Sequence, residues 1–135
     1  MVTPVFGWII WQADELWLEA EHHCVLEAPG GELIDPTPQN DGEVTILFVR
    51  DDTQPFDYSR PRAKLKKYYT LSTLDEVERF VEAHKNYNKF LWKYTRFRGE
   101  YQETKIVEPK AIRLNQRLRM RVAKKEEALM KALAR

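Results

Sequence analysis

The sequence predicts an α+β fold, with a small antiparallel β-sheet built by the N-terminal half and α-helices in the C-terminal half. Two observations predict it. Aromatic and β-branched residues alternate with polar ones in the first half, which is the period-two pattern of half-buried strands. In the second half, apolar residues recur every three or four positions, as they do along one side of a helix.

Turn residues divide the N-terminal half into strands. The predicted strands cover residues 5–11, 16–28, 32–35, 44–49 and 67–71. Pro29-Gly30-Gly31 supplies the fixed φ and the freedom for positive φ that a tight reversal needs, so the second and third strands form a hairpin. Pro36 ends the third strand because proline cannot donate to a ladder. The fourth strand is short and nearly all apolar, which predicts a central position in the sheet.

Two helices are predicted in the C-terminal half. The helical period covers residues 74–94, and Thr73-Leu74-Asp75-Glu76 has the spacing of a capping box at its start. Arg98-Gly99 predicts the break after this helix. A second helix begins near Pro109, since proline is favoured in the first turn.

The length and composition indicate one soluble globular domain. The chain has 135 residues, 43% hydrophobic and 32% charged, which is enough to bury a core and unlike a disordered chain. Residues 1–106 are predicted to form a single α+β domain, and residues 107–135 a basic helix that packs on it or projects from it. No apolar run approaches the roughly 20 residues of a membrane span, so no membrane partner is predicted. Cys24 is the only cysteine, which excludes an intramolecular disulfide and favours the cytoplasm.

The predicted hairpin brings a histidine and an aspartate together. With a three-residue loop at residues 29–31, Ala28 faces Glu32 across the hairpin. Because side chains alternate in a strand, this register places His23 and Asp35 on one face as diagonal neighbours. A carboxylate in that position fixes the tautomer of an imidazole and stabilises the imidazolium, as a catalytic His–Asp pair requires. A loop of two residues would instead turn Asp35 to the other face.

The residues of this hairpin resemble two groups of proteins. His23-Cys24-Val25-Leu26-Glu27 followed by Asp35-Pro36-Thr37-Pro38 is similar to the second half of transglutaminase-like and papain-like cysteine enzymes. The chain also resembles uncharacterised bacterial and phage proteins with a tryptophan-rich strand, then Ala-Glu-x-His, then Gly-Glu-Leu-Ile-Asp-x-Thr-Pro. In those proteins, a further strand and an acidic pair follow, like Asp51-Asp52 here. These resemblances cover residues 6–52.

The resemblance implies an acyl-transfer or amide-hydrolase site in which His23 is the general base and Asp35 orients it. In that superfamily the nucleophilic cysteine lies on a helix before the histidine, and the 22 residues before His23 contain neither cysteine nor serine. Cys24 follows His23 directly on a strand and therefore points to the opposite face. Three explanations stay open: a missing N-terminal segment, a nucleophile from a partner, or a module that has lost catalysis.

Other side chains of the hairpin have simpler explanations. His22, His23 and Cys24 include zinc-binding residue types, but alternation leaves at most two of them on one face, so no metal and no cofactor is predicted. The residues alone also allow His23 to be a surface histidine and Asp35 to be a turn cap. Trp17 is predicted to pack in the sheet, and a substrate groove lined by its indole is the functional alternative.

The basic C-terminal helix suggests an alternative function, a non-enzymatic protein that binds protein or nucleic acid. Arg117, Arg119 and Arg121 are the candidate binding residues, because clustered cations neutralise phosphates or meet acidic protein surfaces. Arginines at every second residue wrap around a helix, however, and a solvated helix surface also explains them. A homo-oligomer through an apolar stripe is a further expectation. That stripe consists of Leu114, Leu118 and Val122.

Overall fold

The computed structural model describes residues 1–37, 45–56, 64–98, 101–104 and 108–135. The strands are β1 (Thr3–Ala13), β2 (Trp17–Glu27), β3 (Leu33–Ile34), β4 (Leu47–Arg50), β5 (Lys67–Thr70), β6 (Thr95–Arg98) and β7 (Tyr101–Thr104). The helices are α1 (Asp75–Tyr94) and α2 (Pro109–Leu133). The predicted α+β fold is confirmed, because the N-terminal half forms an antiparallel sheet and the C-terminal half contributes both helices.

β1 and β2 form the centre of the sheet. They pair antiparallel along their whole length, from the Thr3–Glu27 pair to the Ala13–Trp17 pair. Asp14 takes a left-handed φ of 46° in the turn between them. On its other edge, β2 pairs with β3 near its C-terminus and with β5 near its N-terminus. β2 is therefore bordered by paired strands along both of its edges.

The predicted central position of the fourth strand is wrong. β4 pairs with β1 opposite Gly7 to Ile10 and lies at an edge of the described sheet. Leu47 and Val49 are exposed there. An apolar run is compatible with a central or an edge position. β1 and β2 occupy the centre because they are long strands of eleven residues each, joined by one turn. Val44, the predicted start of this strand, lies outside the described residues.

α1 covers the N-terminal end of β2 with aromatic side chains. The ring of Phe80 lies 5.2 Å from that of Trp17, centroid to centroid. His84 meets Tyr68 of β5 edge-on at 5.7 Å. These contacts fix α1 on the face of the sheet that also carries the odd-numbered residues of β2.

The N-terminus of α1 has a different cap from the one predicted. The hydroxyl of Ser72 accepts a hydrogen bond from the backbone N–H of Leu74 at 3.2 Å. Among the described residues, no hydrogen bond joins the side chains and backbone of Thr73 and Glu76, so the predicted capping box is wrong. A serine oxygen still satisfies an N–H near the helix start, which is the physical requirement that any cap meets.

A short hairpin that the sequence analysis did not predict follows α1. The helix ends at Tyr94, and β6 and β7 pair antiparallel from the Thr95–Thr104 pair to the Arg98–Tyr101 pair. Arg98 therefore belongs to a strand. Gly99, the other residue of the predicted break, lies outside the described residues.

α2 packs against α1 through its C-terminal half. Leu129 is buried with Val77 and Val81, which lie in the first two turns of α1. The C-terminal half of α2 thus meets the N-terminal half of α1, and the two helices run antiparallel. Pro109 occupies the first turn of α2, as predicted. Neither helix of the described chain is long and apolar enough to span a bilayer.

Candidate functional site

The turn between β2 and β3 sets the register of the candidate site. Leu26 pairs with Ile34, and the N–H of Ala28 donates to the carbonyl of Glu32 at 2.8 Å. Gly31 has a φ of 86°, the left-handed conformation for which a glycine is suited. This confirms the predicted three-residue loop and the pairing that follows from it.

The predicted histidine–aspartate contact is present. His23 Nε2 lies 3.0 Å from Asp35 Oδ2, and the two side chains are only 16% and 12% exposed. The N–H of Thr37 donates to Asp35 Oδ1 at 2.9 Å, so both carboxylate oxygens are held. With an ionised Asp35, Nε2 carries the proton and donates it, which leaves Nδ1 as the nitrogen that can accept a proton from another group. We call His23 and Asp35 the dyad.

Hydrogen bonds lower the pKa of the Asp35 carboxyl group. Burial alone raises the pKa of Asp35, but the hydrogen bonds from His23 and from the Thr37 backbone outweigh it. The pKa of Asp35 therefore lies below its ordinary value, and the carboxylate is ionised near neutral pH. An ionised Asp35 is the form that orients an imidazole and stabilises its protonated state.

The residue that pairs with His23 on β1 is a glycine, so the space beside the dyad is not filled by a side chain at that position. Gly7 of β1 pairs with His23 on one side and with Arg50 of β4 on the other. A Cβ atom at Gly7 would lie 2.7 Å from Cζ of Phe48, so that ring leans over the glycine. Arg50 is already paired with carboxylates, since its Nη1 lies 3.5 Å from Glu27 Oε2 and its Nε lies 2.9 Å from Asp52 Oδ1. The dyad thus lies beside an aromatic ring, in a row whose cation is paired with carboxylates.

The adjacent histidine has a structural role on the opposite face. His22 is 3% exposed, and its Nδ1 accepts a hydrogen bond from the backbone N–H of Lys64 at 3.0 Å. Its Nε2 must then carry the proton, which it donates to the carbonyl of Gln54 at 2.7 Å. The ring stacks on Phe56 and tilts against Trp8. His22 therefore ties two segments of the loop after β4 to the sheet.

Protonation of His22 is expected to weaken the fold at mildly acidic pH. Burial lowers the pKa of His22 below its ordinary value of 6.5, despite the opposing effect of the Gln54 carbonyl. The unfolded chain then binds the proton more readily, so this contribution to stability is complete above pH 6.5 and declines as the pH falls towards the folded-state pKa. Urea unfolding should be compared for the native chain and H22Q, which cannot titrate at this position, between about pH 7.5 and 5. The stability advantage of the native chain should shrink with falling pH, and a constant difference contradicts this role.

Cys24 does not complete the dyad. Its side chain belongs to the other face of β2, and Sγ contacts the carbonyl of Val25 at 3.6 Å. Burial raises the pKa of this thiol, so it stays protonated near neutral pH and is a weak nucleophile. Because Cys24 is the only cysteine of this sequence, no thiol lies on the face of β2 that carries the dyad.

The remaining predicted binding residues lie away from the dyad. Trp17 packs against Phe80, and its indole N–H donates to Glu19 at 3.4 Å. It is six residues from His23 along β2, which corresponds to about 20 Å in an extended strand. Arg117 and Arg121 are one helical turn apart on α2, whereas Arg119 is on a different side of it. The structure therefore brings together His23 with Asp35, and Arg117 with Arg121.

Two features of the site were missed by the sequence analysis. Gly7 interrupts a strand rich in aromatic residues, and an isolated glycine in such a pattern is a signal of close backbone approach. The role of His22 has no local signal, since its partners Gln54 and Lys64 are more than thirty residues away in sequence. Within the described segments, no group of three or more His, Cys, Asp or Glu residues is arranged to hold a metal ion.

No family model, curated protein or solved structure matches this chain.

Proposed function

We propose that the dyad is the proton-transferring half of a thiol-dependent acyl-transfer or amide-hydrolysing centre, as in transglutaminase-like and papain-like enzymes. The observation that carries this proposal is the 3.0 Å contact between His23 Nε2 and Asp35 Oδ2. The partial burial of both side chains adds support, because a shielded carboxylate stabilises an imidazolium more strongly than one in water.

In the proposed reaction, a thiol supplied from outside this chain attacks the carbonyl carbon of an ester or amide. His23 Nδ1 takes the proton of the thiol as the carbon–sulfur bond forms. The same nitrogen then returns the proton to the departing alcohol or amine. Asp35 holds the ring through Nε2 and stabilises its protonated form during the interval. Thr37 fixes the carboxylate through its backbone N–H.

A small thiol can replace the external nucleophile in a test of this proposal. We expect the purified chain to accelerate acetyl transfer from p-nitrophenyl acetate to N-acetylcysteamine. The H23Q variant should lose the acceleration, since general acid–base catalysis is worth about a hundredfold or more. The D35N variant should lose about tenfold or more, because the tautomer and the stabilising charge are both disturbed. The measurement is p-nitrophenolate release and thioester formation as a function of thiol concentration.

The control for this experiment is the third histidine of the chain. His84 lies on α1, where it contacts Tyr68 and Asn88 in the packing between α1 and β5. The H84Q variant removes one imidazole, as H23Q does, and should retain the rate. Equal rates for the native chain and H23Q, or equal losses in H23Q and H84Q, would refute the proposal. Circular dichroism spectra of all variants verify that they are folded.

A further inference from the structure

The net positive charge of this protein comes from one helix. α2 contains eight lysines and arginines but only two glutamates, Glu126 and Glu127, so it carries a charge of +6. The whole chain carries +1, and the rest of it is therefore acidic overall. A charge asymmetry of this kind points to a partner for the helix rather than to a generally basic protein.

Five cations form a continuous row along one exposed side of α2, which we call the basic stripe. It consists of Lys110, Arg113, Arg117, Arg121 and Lys124, all exposed. Successive members are three or four positions apart, which places them on one side of a helix. Four of them, with Gln116 and Met120, line one shallow groove of about 450 Å³. Arg119 lies on a different side of the helix, as expected for arginines at every second residue, and is not a member of the stripe.

The basic stripe is largely free of neutralising acids. No member forms an ion pair with any residue in the described part of the chain, and Glu127 is paired with Lys131 beyond its end. Acidic residues of α1 do line the neighbouring groove beside Arg121, among them Glu78 and Glu82. Lys110, Arg113 and Arg117 do not line that groove, so they are the members of the stripe most open to an external anion.

We infer that the basic stripe docks on the phosphate backbone of duplex DNA, independently of the dyad. From Lys110 to Lys124 the stripe spans about 21 Å of helix axis, at 1.5 Å per residue. Duplex DNA presents one phosphate charge for about every 1.7 Å of its own axis, so a row of this length meets many phosphates. A helix about 10–12 Å across also fits the major groove, which is about 12 Å wide.

The composition of α2 favours duplex DNA over other anionic partners. The helix has no aromatic residue, so it lacks the stacking platforms with which proteins bind single strands. Its buried side is packed on α1 through Leu129, and exposed apolar residues such as Ile112, Leu114 and Met120 are not spaced to form the single apolar side that inserts into a membrane. The stripe also lacks the aromatic anchors of a protein–protein hot spot. Double-stranded RNA is disfavoured because its deep, narrow major groove does not admit a helix.

Arg117 and Arg119 provide a matched pair for the test. Both are exposed arginines in the middle of α2, and each substitution by glutamine removes one charge. Binding of a fluorescein-labelled duplex of mixed sequence is measured by anisotropy from about 50 to 200 mM salt. We expect the affinity of the native chain to fall about a hundredfold or more over this range. R117Q should bind about three- to tenfold more weakly with a salt slope lower by about one, whereas R119Q should match the native chain.

Four outcomes would overturn this inference. The first is no binding of duplex DNA at low salt, and the second is equal weakening by R117Q and R119Q, which would indicate a response to net charge alone. The third is tighter binding of single-stranded DNA or double-stranded RNA of the same length. The fourth is binding of poly-glutamate or of anionic phospholipid vesicles as tight as that of the duplex. H23Q should bind DNA normally, so a failure of the dyad proposal and a failure of this one are separable.

Discussion

Replacing Gly7 with alanine is expected to lower the free energy of unfolding by about 3 kcal/mol or more. The added Cβ atom would overlap the carbonyl oxygen of Val49 and lie 2.9 Å from its carbonyl carbon. Backbone atoms of a paired strand cannot move aside as the end of a flexible side chain can. β4 would therefore have to separate from β1, which would also displace Phe48 and Arg50 beside the dyad. Urea unfolding followed by tryptophan fluorescence measures the loss.

Gly30 supplies the control for this substitution. A Cβ atom there would have no heavy atom within 4 Å. It lies in the turn before β3, and its φ lies outside the left-handed range, unlike that of its neighbour Gly31. The G30A variant should unfold within about 0.5 kcal/mol of the native chain. If G7A and G30A were equally stable, the close approach of β4 to β1 would be wrong.

Truncating Leu129 to alanine is expected to cost about 2–5 kcal/mol of stability. The side chain is 4% exposed and packs with Val77 and Val81, so its loss leaves a cavity where α2 meets α1. Since both helices share this small core, the loss should appear in one cooperative transition. Thermal unfolding followed by circular dichroism at the helical signal measures it.

Leu114 allows the same chemical change on the same helix without the cavity. It is 40% exposed and is the outermost member of the apolar stripe predicted for self-association. The L114A variant should lose less than about 1 kcal/mol. A loss in L114A as large as that in L129A would mean that burial against α1 does not explain the contribution of Leu129. A sedimentation measurement on L114A also tests the predicted homo-oligomer. If the apolar stripe mediates assembly, the truncated side chain should weaken it.

The hairpin of the candidate site was predictable because its determinants are local. Strand alternation and a three-residue turn ending at Gly31 fix which residues share a face, and they correctly placed His23 beside Asp35. The helices were also predictable, since their period and the proline at position 109 are properties of short segments. These features depend on residues that are close together in the sequence, so the sequence pattern alone is sufficient to predict them.

The features that sequence reasoning missed depend on distant contacts. β4 lies at an edge because β1 and β2 occupy the centre, a competition that its own apolar residues do not reveal. His22 is buried by residues Gln54 and Lys64, which come together with it only in the folded chain. The basic stripe was hidden because Arg119, between Arg117 and Arg121, suggested a scattered distribution. The packing of Leu129 on α1 shows which side of α2 is buried, and the basic stripe can then be recognised on an exposed side.

The adjacent histidines of β2 restrict how the length of this hairpin can change during evolution. Because His22 and His23 serve opposite faces, the dyad depends on parity within the paired segment of β2. An insertion or deletion of one residue between His23 and Leu26, with the pairing of Leu26 and Ile34 kept, would turn His23 away from Asp35 and bring His22 to that face. An extra residue within the turn itself leaves the pairing, and with it the His23–Asp35 contact, unchanged. Changes of length are therefore tolerated in the turn and penalised in the paired strand.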